Sequence, residues 1–147
     1  MSDSISLELR SVRRSFQQGQ SHLNILRGDS LSLQAGEIIG LVGPSGSGKS
    51  TLLQIAGLLE KPDGGAVVIN GQDCTWVDDR ERTKLRGNEF GFIYQFHNLL
   101  PEFTAIENVV LPQLIVGVSK NDARAHAINL LSDVGLENRV HHFPTEL

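Results

Sequence analysis

Hydrophobic and polar positions alternate near the start of the chain. Ile5, Leu7 and Leu9 are separated by polar residues and predict a half-buried strand running to Phe16. Gln17-Gln18-Gly19-Gln20 reads as a turn, and Ile25 to Leu33 as a second strand. Ala35-Gly36 turns the chain into Glu37-Ile38-Ile39-Gly40-Leu41-Val42, an apolar run that predicts a short buried strand. Thr51 to Leu58 reads as a helix. Lys61-Pro62-Asp63-Gly64-Gly65 is a breaker cluster, followed by the apolar run Ala66-Val67-Val68-Ile69 and the tight-turn pair Asn70-Gly71. Asp78 to Arg86 is highly charged and predicts a short exposed helix. Glu89 to Gln95, with Phe90, Phe92 and Ile93, predicts a return to strand.

The pattern changes at Pro101. Thr104-Ala105-Ile106-Glu107 has capping-box spacing and opens an apolar helix to about Gly117, with Glu107 as the partner of Thr104. Pro112 inside that run predicts a kink or a break. Ser119 is the expected N-cap of a further helix that ends at Gly135. Ala123, Ala127, Leu130, Leu131 and Val134 share one face of it. The chain therefore reads as a mixed α/β core followed by a small helical part, with the switch near residue 97.

A length of 147 residues sets one domain as the expectation, able to bury roughly 70% of its extended-chain surface. Composition changes the picture mainly by exclusion. The net charge of −4 and pI near 5.7 argue against nucleic acid, whose phosphates demand a basic face. No apolar run approaches the ~20 residues of a membrane span. Met1-Ser2-Asp3-Ser4 lacks the basic and apolar regions of a secretory signal. The single cysteine, Cys74, has no internal disulfide partner and fits a reducing cytoplasm as a small buried hydrophobe. His141 and His142 are adjacent, which is not the spacing of a metal pair.

The chemistry lies at Gly43-Pro44-Ser45-Gly46-Ser47-Gly48-Lys49-Ser50-Thr51, a complete G-x-x-x-x-G-K-[ST] phosphate loop between an expected strand and an expected helix. Gly43, Gly46 and Gly48 let the backbone curl so that successive N–H groups point inward at phosphate oxygens, with Ser45 and Ser47 between them. The following helix adds its positive end. Lys49 brings a charge to the β- and γ-phosphates of a nucleoside triphosphate, and Ser50 offers a hydroxyl to Mg2+. By itself the loop does not separate ATPases, GTPases and small-molecule kinases.

Three further features narrow the choice. Phe16 ends the first strand, Gln95 follows Gly91-Phe92-Ile93-Tyr94, and the loop has the form G-P-S-G-S-G-K-S-T. Together these resemble the ATP-binding subunits of ABC transporters. The resemblance implies an α/β P-loop NTPase core with an antiparallel β subdomain and part of a helical subdomain. It implies ATP and Mg2+ as cofactors, Phe16 stacked on adenine, and residues 43–51 around the phosphates. Lys49 and Gln95 would be the catalytic residues, with Ser50 and Gln95 at the metal. Residues 91–109 and the tail from Val134 to Leu147 look like the lipoprotein-releasing (LolD-like) branch, with macrolide-export and cell-division subunits as near alternatives. That branch implies a homodimer docked on membrane-spanning subunits through the region around 95–110, including His97. It would be peripheral on the cytoplasmic face of the bacterial inner membrane. The expected division is a nucleotide-binding core over 1–96 and a partial helical subdomain over 97–147.

The chain departs from that pattern where it stops. Leu147 would be the first residue of the L-S-G-G signature, and no Walker B aspartate, catalytic glutamate or switch histidine occurs. The resemblance then implies an incomplete core sheet, no turnover by these residues alone, and marginal stability because the run at 37–42 and the loop helix lack cover. The competing readings are a catalytically inactive nucleotide-binding fragment and a P-loop kinase or GTPase. Phe16 and the Gln95 loop disfavour the latter.

Overall fold

A computed structural model describes residues 4–19, 21–96 and 98–147. Gln20 of the expected turn and His97 of the expected partner-facing loop lie outside the described residues. The chain divides into two units, Met1–Arg86 and Gly87–Leu147.

The first unit is built on two long strands, β1 (Ile5–Gln18) and β2 (Ser21–Gln34), each longer than its hydrophobic pattern predicts. With β3 (Gly64–Ile69) and β4 (Gln72–Asp73) they form an antiparallel sheet of order β2-β1-β3-β4. Leu9 pairs with Leu31 on one side and Val67 on the other, and it is buried together with Val12, Leu26, Val67, Val68 and Ile69. Leu9 and Val12 are three apart, so simple alternation would send them to opposite faces. A bulge resolves the conflict. The β1 register shifts between Arg10 and Arg13, Ser11 adopts a left-handed φ of 48°, and its amide donates to Ser30 Oγ at 2.9 Å. The Asn70-Gly71 turn has positive φ at both positions, 49° and 81°, as a two-residue hairpin requires.

Helix α1 (Lys49–Ala56) buries Leu52, Ile55 and Ala56. The charged segment forms α2 (Asp79–Glu89). From α2, buried Arg82 and half-buried Arg86 both donate to the carbonyl of Leu58, at 2.7 and 2.9 Å. Two cations thus share one carbonyl just past the C-cap of α1, beside its negative end.

The second unit contains α3 (Ala105–Ile115) and α4 (Lys120–Asp133). Ala105 and Ile106 pack with Ala127 and Leu131, and Val109, Val110, Leu136 and Val140 border this core. The Glu107 carboxylate accepts from the Thr104 amide and hydroxyl at 2.8 and 2.6 Å. Ser119 caps α4 by accepting from the Asp122 amide, and Gly135, with φ 75°, follows its last turn. Among the described residues, no helix is long and apolar enough to cross a membrane.

Four expectations are corrected. The runs 37–42 and 89–95 do not join the sheet; Glu89 ends α2, and Ile38, Val42 and Ile93 are 97%, 90% and 102% exposed. A buried parallel strand needs a neighbouring strand and cover on both faces, and among the described residues neither run is paired in a sheet. Phe90, Phe92 and Tyr94 instead stack on one another, with ring centroids 6.1 and 5.7 Å apart. Helix α3 continues through Pro112, although proline removes one backbone donor. The next residue, Gln113, bonds the carbonyls of Val109 and Ala123 through its side chain at 2.9 and 3.3 Å and ties this turn to α4. Leu130 and Val134 are exposed, because the buried stripe of α4 is the narrow Ala123, Ala127, Leu131 row at i, i+4, i+8.

Hydrogen bonding from Thr104, first its hydroxyl and then its amide, holds the Glu107 carboxyl below its ordinary value of 4.5. A depressed folded-state value stabilises the cap above the ordinary value, and that contribution is lost as pH falls through the folded one. The carbon shifts of Ala105–Glu107, followed by NMR, are therefore expected to lose helical character below pH 4.5. The effect should be smaller in Thr104→Ala held at the same pH steps, because that variant keeps only the amide bond. Equal responses in the two proteins would refute the assignment.

Candidate nucleotide site

The phosphate loop enters α1 from a segment outside the sheet. Ser47 N donates to Pro44 O at 3.3 Å and closes the turn. Gly46 and Gly48 have φ of 78° and 76°, left-handed conformations that disfavour side chains. Gly48 is also hemmed in: a Cβ there would lie 2.6 Å from Ile25 Cγ2 and 3.1 Å from Ile25 O. The loop is thereby seated directly on β2. A Cβ at Gly43 would meet only the rotatable Ser47 hydroxyl and Cβ, at 2.9 and 3.6 Å, so that end of the loop is less tightly held.

Lys49 folds back over the loop, its Nζ donating to Gly43 O and Pro44 O at 3.0 and 3.2 Å. Ser50 is exposed and Thr51 half-buried in the first turn of α1. Among the described residues no side chain caps this helix, and its first turn holds no acid. Both α3 and α4 differ, each carrying an acid in the first turn and a polar residue at the N-cap. The free amides of α1, the Lys49 ammonium and the Ser50 hydroxyl form a donor set that fits triphosphate oxygens and a Mg2+ ion bound to them.

Phe16 lies near the end of β1, paired with Leu23 and 38% exposed. The Arg14 guanidinium stands over its ring, 4.7 Å from the centroid. Arg14 Nε donates to Glu60 Oε1 at 2.8 Å and Nη1 to Asp63 Oδ1 at 2.6 Å. The other Asp63 oxygen accepts from the Ser15 amide and hydroxyl at 2.6 and 2.7 Å. The Ser15 hydroxyl, then its amide and Arg14, hold the Asp63 carboxyl below the usual carboxylate range. Phe16 and residues 43–51 therefore belong to one unit. Gln95 lies in the other, exposed in a bend between Tyr94 and Phe96.

Sequence reasoning missed Arg14, Glu60, Asp63, Arg82 and Arg86. The Arg14 partners are 46 and 49 residues away along the chain, and no spacing rule reaches that far. The only local signal was a pair of acids, one just before and one within the breaker cluster after α1.

A family model described as ABC transporter matches residues 26–147. The lipoprotein-releasing system ATP-binding protein LolD of Paramagnetospirillum magneticum is 54% identical over 141 residues, 96% of this chain and 62% of that protein. Its namesake from Maricaulis maris is 55% identical over 147 residues, 100% of this chain and 64% of that protein. The chain thus spans a little under two thirds of the length of these relatives. Among solved structures, the ATP-binding cassette MJ0796, a dimer in a post-hydrolysis state bound to ADP and Pi, superposes with a TM-score of 0.87. It is 36% identical and covers 96% of this chain and 62% of its own.

Proposed function

The chain belongs to the ABC transporter family, and from that membership we propose that it holds the nucleotide in an ATP-binding subunit that energises release of lipoproteins from the bacterial inner membrane. Its fold is the N-terminal portion of that ATPase type, with an antiparallel β-sheet subdomain and a helical subdomain. The observation that carries the nucleotide reading is the uncapped, acid-free N-terminus of α1 behind a left-handed glycine loop, with Lys49 folded over it. The relatives named for lipoprotein release support the substrate class.

In this reading the free backbone N–H groups of the 43–51 loop bind the phosphates, Lys49 neutralises charge on the β- and γ-oxygens, and Ser50 and Gln95 would hold Mg2+. Bound Mg2+ would supply further neutralisation of the transferring phosphoryl group. Phe16 stacks on adenine, which favours ATP by shape without reading base edges. Residues 1–96 serve as the nucleotide-binding core and 97–147 as part of the helical subdomain. The region around 95–110 docks on membrane-spanning subunits, two copies work as a dimer, and the assembly is peripheral on the cytoplasmic face.

The test is reconstitution of the whole protein with its membrane-spanning partners in liposomes carrying a labelled lipoprotein. ATP-dependent release that a non-hydrolysable analogue does not support is the expected result. Failure to release lipoprotein alongside ATP-dependent macrolide transport would move the assignment to the export branch. Absence of ATP binding would remove both.

A further inference from the structure

We propose that Arg14 is a positioning residue for the base-stacking ring of Phe16 and that it couples this ring to the segment following the phosphate-loop helix. The proposal rests on the nucleotide reading above.

The guanidinium is planar, so donors used in its plane leave its faces for stacking. Glu60 and Asp63 take the in-plane donors of Arg14, at 2.6 Å in each ion pair, and the ring of Phe16 lies 4.7 Å away. Arg14 is itself mostly covered, its side chain only 25% exposed. A phenylalanine beside the turn of a hairpin is otherwise free to turn about two side-chain bonds. A fixed cation against one face removes that freedom and leaves a flat base the other face for stacking.

The anchors tie this ring to the phosphate-loop helix. Glu60 and Asp63 lie between α1 and β3, on the stretch that leaves the helix opened by Gly48 and Lys49. Asp63 is held twice more on β1, because its amide donates to Arg13 O at 2.8 Å and its carboxylate accepts from Ser15. The base-holding strand and the phosphate-holding helix therefore share one bridge, and Arg14 is its middle.

The experiment compares two probes on the full chain: MgATP, and Mg-tripolyphosphate, which carries no base. Arg14→Ala is expected to weaken MgATP by about five- to tenfold and tripolyphosphate by less than about twofold. Phe16→Ala should give a similar selective loss, and adding Arg14→Ala to it should cost less than about twofold more, as coupled neighbours do. Arg14→Lys keeps the charge but cannot bridge both carboxylates. It should lose MgATP selectively by about twofold, and it keeps the test open if the alanine variant does not fold. Equal weakening of both probes, unchanged MgATP affinity, or full additivity with Phe16→Ala would each overturn the proposal. If the parent chain binds neither probe, the nucleotide reading falls, and this proposal with it.

Discussion

Lys49→Ala is expected to weaken MgATP binding by roughly 100-fold or more, because it removes charge-assisted hydrogen bonds worth about 1.5–3 kcal/mol each. The ammonium already lies across the loop, 3.0 and 3.2 Å from two of its carbonyls. It therefore needs little reorganisation to meet an incoming triphosphate. Its loss also leaves the Gly43 and Pro44 carbonyls without that cation beside an approaching polyanion. Lys49 lies in the first turn of α1 on a helix otherwise held by Leu52, Ile55 and Ala56, so the fold is expected to survive. Equilibrium titration with a fluorescent ATP analogue, alongside circular dichroism, checks both statements. Affinity within about threefold of the parent in a folded variant would remove the phosphate-loop assignment.

The second large effect is on stability. Gly65→Ala is expected to destabilise the first unit by roughly 3 kcal/mol or more, combining left-handed strain with overpacking. Gly65 has a φ of 89°, and a Cβ there would sit 2.5 Å from both Arg10 O and Ser11 O. Those oxygens belong to the bulge of β1, so neither can rotate aside as a side chain would. The neighbouring Gly64 is the control. A Cβ there would meet only Arg13 Cδ, at 4.0 Å, so Gly64→Ala should be tolerated. Urea unfolding of the two variants reads the difference directly, and similar midpoints would contradict the bulge as the cause.

These two predictions differ in how early they were legible. The place of Lys49 is legible in nine consecutive residues, because a phosphate loop is a local object. Its glycines and its helix start lie within a few positions of one another. The same holds for the Thr104–Glu107 cap, the Ser119 cap, the Asn70-Gly71 turn and the Gly135 stop. The constraint on Gly65 is not legible in its neighbours, because the pressure on that residue comes from a strand more than fifty positions earlier.

The failures have the same origin. The apolar runs at 37–42 and 89–95 advertise a need for cover, but a strand exists only where another strand supplies hydrogen bonds. Leu130 and Val134 matched helical spacing, yet the neighbours of α4 cover only the Ala123, Ala127, Leu131 stripe. Of the kink or break expected at Pro112, the break does not occur, and Gln113 holds the turn to α4 through the Ala123 carbonyl.

By itself, then, the sequence determined the phosphate-loop motif, the caps of α3 and α4, the Asn70-Gly71 turn and the family, all carried by residues close together in the chain. Only the tertiary structure decided which apolar runs become strands, where the β1 bulge falls, and that Arg14 joins Phe16 to Glu60 and Asp63. Those outcomes depend on partners tens of residues away, and hydrophobic periodicity records that a side chain needs a partner without recording which one.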